Sequence, residues 1–333
     1  MTTNDKAKVL NLLVDHNLVS KNATIQNLDG GVSSDVYFAY DETKKLVVKS
    51  ALAQLKTEAQ WLADTSRSIA EVEALKLHKS ITPNHLPEVI AFIENILVIE
   101  AADSTWVDLR KYLLETKEIN QEWLIDLVSN LAKTLATWHN QTKNTAELPK
   151  IFDNKERLKQ LRTHPFHRFC ADLKPELSAV LLQLAENLET KSNCLVHGDF
   201  SPKNVLTSIN ESNKFWVIDA EVAHLGLAVF DQTYFLTHLI LKATHKPEAR
   251  ELFLRAAQVF NNEYFSTLDT ELIDDAWPNY LGAILLARVI GKSPATYLTD
   301  QEQVQAEKIA TYLLNTSNPN IFEEINSILL AAI

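Results

Sequence analysis

The sequence predicts an α+β chain of two lobes, a small β-rich one followed by a larger helical one that carries a single hairpin. Three observations point to it. Short runs of alternating apolar and polar residues fill the stretch from residue 23 to 100, apolar residues recur at helical spacing after Glu100, and one strand–turn–strand pattern, NVLTSI-NESN-KFWVID, interrupts the helical part. At 333 residues the chain is long enough to bury two cores, with boundaries expected at 1–100 and 101–333.

The elements follow in order. MTTNDKAKVLNLLVDHNL reads as a capped amphipathic helix without the uninterrupted apolar segment of a signal peptide, so a cytoplasmic protein is expected. ATIQNL, DVYFAY and LVVKS read as strands, separated by Gly30-Gly31 and by the polar turn DETKK. SRSIAEVEALKLHK sets Ile69, Val72, Leu75 and Leu77 on one helical face, and PEVIAFIENILVIE reads as two strands turning at Glu94-Asn95. A short extended link at Ile99–Ala102 leads into EWLIDLVSNLAKTLATWH. Its stripe of Leu124, Leu127, Val128, Leu131, Leu135 and Trp138 is that of an amphipathic helix. Further helical patterns cover 154–190, 230–265, 270–290 and 300–332.

Composition narrows the function. With 46% hydrophobic and 23% charged residues the chain is not disordered, and no apolar run reaches the roughly 20 residues that span a bilayer. A net charge of −11 repels polyanions, so neither nucleic acid nor membrane is an expected partner, while a local basic site for a small phosphorylated ligand stays open. Cys170 and Cys194 form no CxxC pair and read as small buried hydrophobes. A homodimer is a prior only.

The chemistry concentrates where the glycines do. The chain has six, and Gly30-Gly31, followed by Ser33 and Ser34, could lie over a phosphate and offer backbone N–H groups; a plain β-turn fits the pair as well. No GxxxxGK[ST] is present. Lys49, flanked by Val47 and Val48, is either an edge residue or a point charge aimed at phosphates and fixed by Glu71 or Glu73. In LVHGDFSPKNVL, Gly198 separates His197 from Asp199, and Asn204 follows five residues later. Asp219 ends the second strand of the hairpin, which can fold Asn204 and Asp219 to the same end. One carboxylate and one amide oxygen suffice for a Mg²⁺ that keeps its waters and nucleotide phosphates. Asp199 is then free to accept the proton of an attacking hydroxyl, and His197 reads as a buried histidine that holds the loop.

As a set, these residues resemble the aminoglycoside phosphotransferase and choline kinase-like superfamily, small-molecule kinases with a protein-kinase-like fold, over about residues 25 to 295. The resemblance implies that Asp199 is the catalytic base, Asn204 and Asp219 magnesium ligands, Lys49 the nucleotide-phosphate lysine and Glu71 its helix partner. DGGVSSDVY looks like the nucleotide loop, with Gly30, Gly31, Ser33 and Ser34. LVIEAA looks like a hinge where backbone near Glu100 and Ala102 meets adenine. Asp231 looks like the acid that braces the catalytic loop. VVKSALAQLKTEAQWLADTSRSIAEVEAL, DAEVAHLGLAVFD and LLARVIG are similar to segments of the methylthioribose kinase branch. That branch lacks the SPKN ending and has paired arginines where this chain has Ala287-Arg288, which leaves Arg288 as a substrate-pocket candidate or a helix-end ion pair.

The expected function is therefore an ATP- and Mg²⁺-dependent phosphotransferase acting on a hydroxyl of a small molecule, a sugar, amino alcohol or related metabolite. The alternatives are a nucleotide-binding pseudokinase or sensor without transfer activity and, as acceptor, an aminoglycoside antibiotic, whose positive charge suits an acidic chain.

Overall fold

The computed structural model describes residues 3–28, 34–52 and 66–331. Helix α1 (Thr3–Asp15) precedes strands β1 (Thr24–Asn27), β2 (Ser34–Tyr40) and β3 (Lys45–Ala51). Helix α2 (Arg67–Ile81) then leads to β4 (Val89–Ile93) and β5 (Ile96–Glu100). The five strands form one antiparallel sheet in the order β1-β2-β3-β5-β4. Strand periodicity divides its faces. Leu46 and Val48 pack with Val9 and Leu13 of α1, whereas Val47 and Lys49 project from the opposite face into a cleft. The β4–β5 hairpin turns at Glu94 and Asn95, with φ of 51° and 66°, the left-handed pair that a tight two-residue turn requires.

Beyond β5 the chain is mainly helical. β6 (Val107–Asp108), α3 (Leu109–Glu115) and α4 (Gln121–Gln141) come first. α4 buries the predicted stripe from Leu124 to Trp138. After α5 (Glu156–Leu158), α6 (Phe169–Leu173) and α7 (Ser178–Thr190) come β7 (Cys194–Val196), β8 (Val205–Thr207), β9 (Phe215–Val217) and β10 (His224–Gly226). β7 pairs with β10, and the β8–β9 hairpin takes β6 as its third strand. Four longer helices complete the chain: α8 (Val229–His245), α9 (Arg250–Thr267), α10 (Trp277–Ile290) and α11 (Asp300–Asn315), followed by the short α12 (Phe322–Leu330). α8 is covered on all sides, every residue from Val229 to Thr244 being buried.

The long helical patterns break at identifiable places. The 154–190 segment is divided by Pro175 and by a wide π-type stretch over Lys159–Arg168 that contains Pro165; the 230–265 segment is cut at Pro247. The pattern over 270–290 is α-helical only from Trp277, with Pro278 in the first turn, and the 300–332 pattern breaks between Asn315 and Phe322 around Pro319. Helix α2 buries Val72 and Leu75 of its expected face, and Leu77 packs at its edge. Ile69 is 39% exposed, while Ala70 and Ala74 face Phe152, Leu195 and Ala223. Small side chains let the helix approach the helical lobe closely, and Glu71 faces the sheet, where it bonds Lys49. Both cysteines are buried and unpaired, as expected.

Candidate active site

Gly198 answers why a chain so sparing of glycine spends one between His197 and Asp199. Its φ is +78°, and a Cβ there would lie 2.6 Å from the Val222 carbonyl oxygen. The turn it permits presents two consecutive backbone N–H groups to one buried carboxylate. The His197 N–H donates to Asp231 Oδ2 at 2.6 Å and the Gly198 N–H to Oδ1 at 2.8 Å. Asp231, fully buried at the start of α8, also meets His139 Nε2 at 3.3 Å. Burial alone would raise its carboxyl, but these donors hold it below the ordinary carboxylate value.

His197 fixes the loop from the other side. Its Nδ1 accepts from the Asp199 N–H at 3.2 Å, which leaves Nε2 to donate to the Ile218 carbonyl at 3.2 Å. Burial keeps the ring neutral by pushing its pKa down. The histidine thus ties the loop to the residue before Asp219. The Ile218 N–H donates in turn to the Asn204 carbonyl at 2.9 Å, so Asn204 and Asp219 stand side by side. Asp219 itself adopts a φ of +68°, a strained conformation for a residue with a side chain.

Asp199 is buried and held by three groups. Arg162 Nη2 lies 3.0 Å from Oδ1, Lys203 Nζ 2.8 Å from Oδ2, and Asn204 Nδ2 donates to Oδ2 at 2.9 Å. Burial pushes the carboxyl up, but the Lys203 and Arg162 cations outweigh it and hold it well below the usual range, so it is ionised at neutral pH. Asn204 spends its amide N–H groups on Asp199, which leaves its Oδ1 without a protein partner among the described residues.

Across the cleft, Lys49 reaches both lobes. Its Nζ bonds Glu71 Oε1 on α2 and lies 2.6 Å from Asp219 Oδ1. The open choice between Glu71 and Glu73 is thereby settled, because Glu73 faces outward and pairs with Lys76 at 3.5 Å. Burial works against the Lys49 charge, but Asp219 and Glu71 outweigh it and raise its pKa. Glu221 adds a third carboxylate, held by the buried Arg67 at 3.0 Å. Burial, with Asp219 and Glu221, outweighs the pull of Lys49 and raises the Glu71 carboxyl to about 7.

A cleft of about 380 Å³ runs from these groups toward the outer end of β5, lined by Ser34, Val36, Val47, Lys49, Glu71, Ile99, Glu100, Ala102, Lys203, Asn204, Leu206, Trp216, Ile218 and Asp219. Its apolar walls and polar end suit a ligand with one flat and one highly charged part. The Glu100 N–H is taken by the Glu88 carbonyl at 2.9 Å and the Ala101 N–H by Lys45 at 3.2 Å, whereas the Ala102 N–H donates to no backbone group among the described residues. A broader groove of about 680 Å³ lies on the opposite face of the sheet against α1, away from all of these residues.

The structure therefore brings together Ser34, Lys49, Glu71, Glu100, Ala102, Asp199, Asn204 and Asp219, with His197 and Asp231 beneath the loop. Gly30, Gly31 and Ser33 lie outside the described residues. Arg288 is not on the cleft wall; at the end of α10 its Nη1 bonds the Ser293 carbonyl and, at 2.9 Å, the Ser293 hydroxyl, with no ion pair among the described residues. Arg162, Lys203, Arg67 and Glu221 were not anticipated. Lys203 stood in plain view within SPKN, four residues after Asp199. Arg162 comes from the π-type stretch, and no local pattern announces it.

The oxygen donors of Asn204 and Asp219 fit a hard divalent cation: Asp219 already binds the Lys49 ammonium, and the neighbouring amide oxygen is unspent. The sequence model of the phosphotransferase enzyme family (APH) matches residues 24–269. Methylthioribose kinase of Geobacillus thermodenitrificans is 24% identical over 287 residues, covering 77% of this chain and 72% of that protein. Methylthioribose kinase 2 of Oryza sativa is 24% identical over 66% of this chain and 56% of its own length. Among solved structures, a choline/ethanolamine kinase family protein from Mesorhizobium loti superposes with a TM-score of 0.53 at 14% identity, over 99% of both chains. An aminoglycoside-3'-phosphotransferase of type VIII gives 0.53 at 16% identity, over 92% of this chain and 98% of that one.

Proposed function

The chain belongs to the phosphotransferase enzyme family and is a small-molecule kinase, and from that premise we propose that it transfers the γ-phosphoryl group of ATP to a hydroxyl of a small metabolite, with Mg²⁺. The observation that carries the reading is the convergence of Lys49, Asn204 and Asp219 at the polar end of one cleft, with Asp199 hydrogen-bonded to Asn204 just behind that wall. A pseudokinase would be expected to lack one of these four groups, and none is missing.

In this reading the free Ala102 N–H meets the edge of adenine, which lies between Val36, Val47 and Ile99 above and Leu206 and Ile218 below. Lys49, braced by Glu71, holds phosphate oxygens. Asn204 Oδ1 and the Asp219 carboxylate would hold magnesium, which neutralises charge on the phosphates when bound. Asp199 orients the acceptor hydroxyl. As the new bond from that oxygen to the γ-phosphorus forms and the bond to the leaving oxygen of ADP breaks, Asp199 takes the hydroxyl proton. A carboxylate this acidic is a weak base, so it accepts the proton late; orientation is its larger contribution in a loose transition state. Lys203, between Asp199 and Asp219, adds positive charge where the phosphoryl group passes.

The test is ADP release with MgATP across a panel of alcohols including methylthioribose, choline, homoserine, fructosamine-type sugars and an aminoglycoside. Release above the rate without acceptor, with a product 80 mass units heavier by mass spectrometry (roughly one phosphoryl group), is expected for at least one class. Nucleotide binding without transfer to any of them would support the sensor reading instead.

A further inference from the structure

The two oxygens of the Asp199 carboxylate have different surroundings. Oδ2 takes the Lys203 ammonium at 2.8 Å and the Asn204 amide at 2.9 Å, and both of those residues line the cleft. Oδ1 is turned away from them. It is buried and makes no hydrogen bond among the described residues, and its ion-pair partner is Arg162 Nη2 at 3.0 Å. A buried carboxylate oxygen left without a hydrogen bond is uncommon and calls for a reason.

Arg162 supplies one, because its own position does not depend on Asp199. Its Nε donates to the Gly198 carbonyl at 2.8 Å and its Nη1 to the Leu161 carbonyl at 2.7 Å. Its Cζ lies 5.7 Å from the Phe166 ring and 5.4 Å from the Tyr234 ring, so two aromatic faces hold the guanidinium as well. The stretch that delivers it is anchored in turn. Thr163 donates to Glu189 Oε1 of α7 at 2.6 Å, and Arg168 reaches both Glu189 oxygens at 3.1 and 2.7 Å. π-type stretches recur at functional sites, and this one sends Arg162 to the catalytic loop. The guanidinium is thus a fixed charge behind Oδ1, whereas Lys203, on the other oxygen, is a long and half-exposed side chain. The terminal torsion of an aspartate is broad and roughly two-fold, so an unrestrained carboxylate would turn.

We propose that Arg162 is a positioning residue that fixes Oδ1 and the Gly198 carbonyl from behind the loop, and so aims Oδ2 at the acceptor as the oxygen that receives its proton. The inference rests on the proposed transfer reaction and deepens it. The hydroxyl proton passes to Oδ2 as the acceptor oxygen bonds to phosphorus and the ADP oxygen leaves; Arg162 touches neither the acceptor nor the proton. The acceptor therefore approaches Asp199 on its Lys203 side, and the side toward Arg162, Phe166 and Tyr234 is closed to it.

A double-mutant cycle and a crystal structure test it, both with the full-length protein. With the best acceptor of the alcohol panel, Arg162→Gln should lower kcat roughly 10- to 100-fold, the cost of a misaimed group. Acceptor KM, and affinity for the ATP analogue AMP-PNP with magnesium, should stay within about threefold of wild type. Arg162→Lys, which keeps the charge, should recover part of the loss, and it carries the same cycle if Arg162→Gln does not fold. In an Asp199→Asn background the Arg162 change should lower kcat by less than about threefold, because the residue acts through Asp199. Arg168→Gln, from the same stretch, should keep the wild-type kcat. In the crystal, Arg162→Gln or Arg162→Lys should turn the Asp199 carboxylate by about 30° or more. In wild type with AMP-PNP, magnesium and that acceptor bound, the hydroxyl should lie about 3 Å from Oδ2.

An unchanged kcat, an equal fall in both backgrounds, an unmoved carboxylate in the Arg162 variants or an acceptor hydroxyl on Oδ1 would each overturn the assignment. A wild type that transfers to no alcohol, together with a turned carboxylate in the variants, would uphold Arg162 as the residue that aims Asp199 and defeat the transfer reading instead.

Discussion

Gly198 and Asp231 show how much of the site is fixed by single residues. A left-handed φ and a backbone oxygen 2.6 Å from any added Cβ leave no room for a side chain. Gly198→Ala is therefore expected to lower stability by about 1–3 kcal/mol from backbone strain alone, and to displace Asp199 because the loop must shift. Thermal unfolding and transfer rate measured together check this; an alanine variant of wild-type stability and rate would contradict it. The same residues explain what was legible in the sequence. The HGDxxxxN spacing is readable because each position demands one residue type: glycine for conformation and, in the proposed reaction, carboxylate for proton and charge and amide for an oxygen ligand. Arg162 and Glu221 were unreadable because arginine and glutamate are common, and the contacts that select these two are made across 37 and 154 residues of chain, to Asp199 and Arg67.

Whole elements decide the rest. α2 and its buried Val72 and Leu75 were legible from apolar spacing, but its second buried face was not, because that face is made by Ala70 and Ala74 rather than by large apolar residues. Periodicity counts large side chains and overlooks close packing by small ones. The long helical patterns failed at proline and at the π-type stretch, where tertiary packing keeps the direction of the chain but not its regular hydrogen bonding. The orientation of α2 has an electrostatic consequence. It crowds Glu71, Asp219 and Glu221 around Lys49 and Arg67, and Glu71 is raised from 4.5 to about 7. A carboxyl whose folded pKa is raised contributes stability below its unfolded value, and that contribution is lost as pH rises from about 4.5 through 7. Glu71→Gln should remove this slope, on the order of 3 kcal/mol between pH 5 and 8. Chemical denaturation at several pH values reads it; parallel wild-type and variant profiles would assign the slope to other groups.

At the scale of the molecule, the largest apolar cluster runs without interruption from Val72, Leu75, Leu97 and Ile99 into the helices beyond residue 100. Stacking of His78 on Trp138 at 4.2 Å and of His85 on Phe215 at 4.1 Å reinforces the junction. We propose that the lobe boundary near residue 100 is a change of architecture across one continuous core, so that α2 and its Glu71 hold position against the catalytic loop while the cleft opens on the other side. The two-lobed plan was legible because strand and helix textures change at Glu100. The continuity of the core was not, since it depends on which faces meet. The whole arrangement serves one claim, that Asp199 positions and deprotonates an alcohol beside a nucleotide held by Lys49, Asn204 and Asp219. Asp199→Asn keeps the size of the side chain while removing its charge and turning one of its two acceptors into a donor. In this variant, AMP-PNP affinity in the presence of magnesium should stay within about threefold of wild type while phosphoryl transfer to the preferred acceptor falls roughly 10²- to 10⁴-fold. Transfer at the wild-type rate by a purified Asp199→Asn protein that binds nucleotide normally would contradict the account.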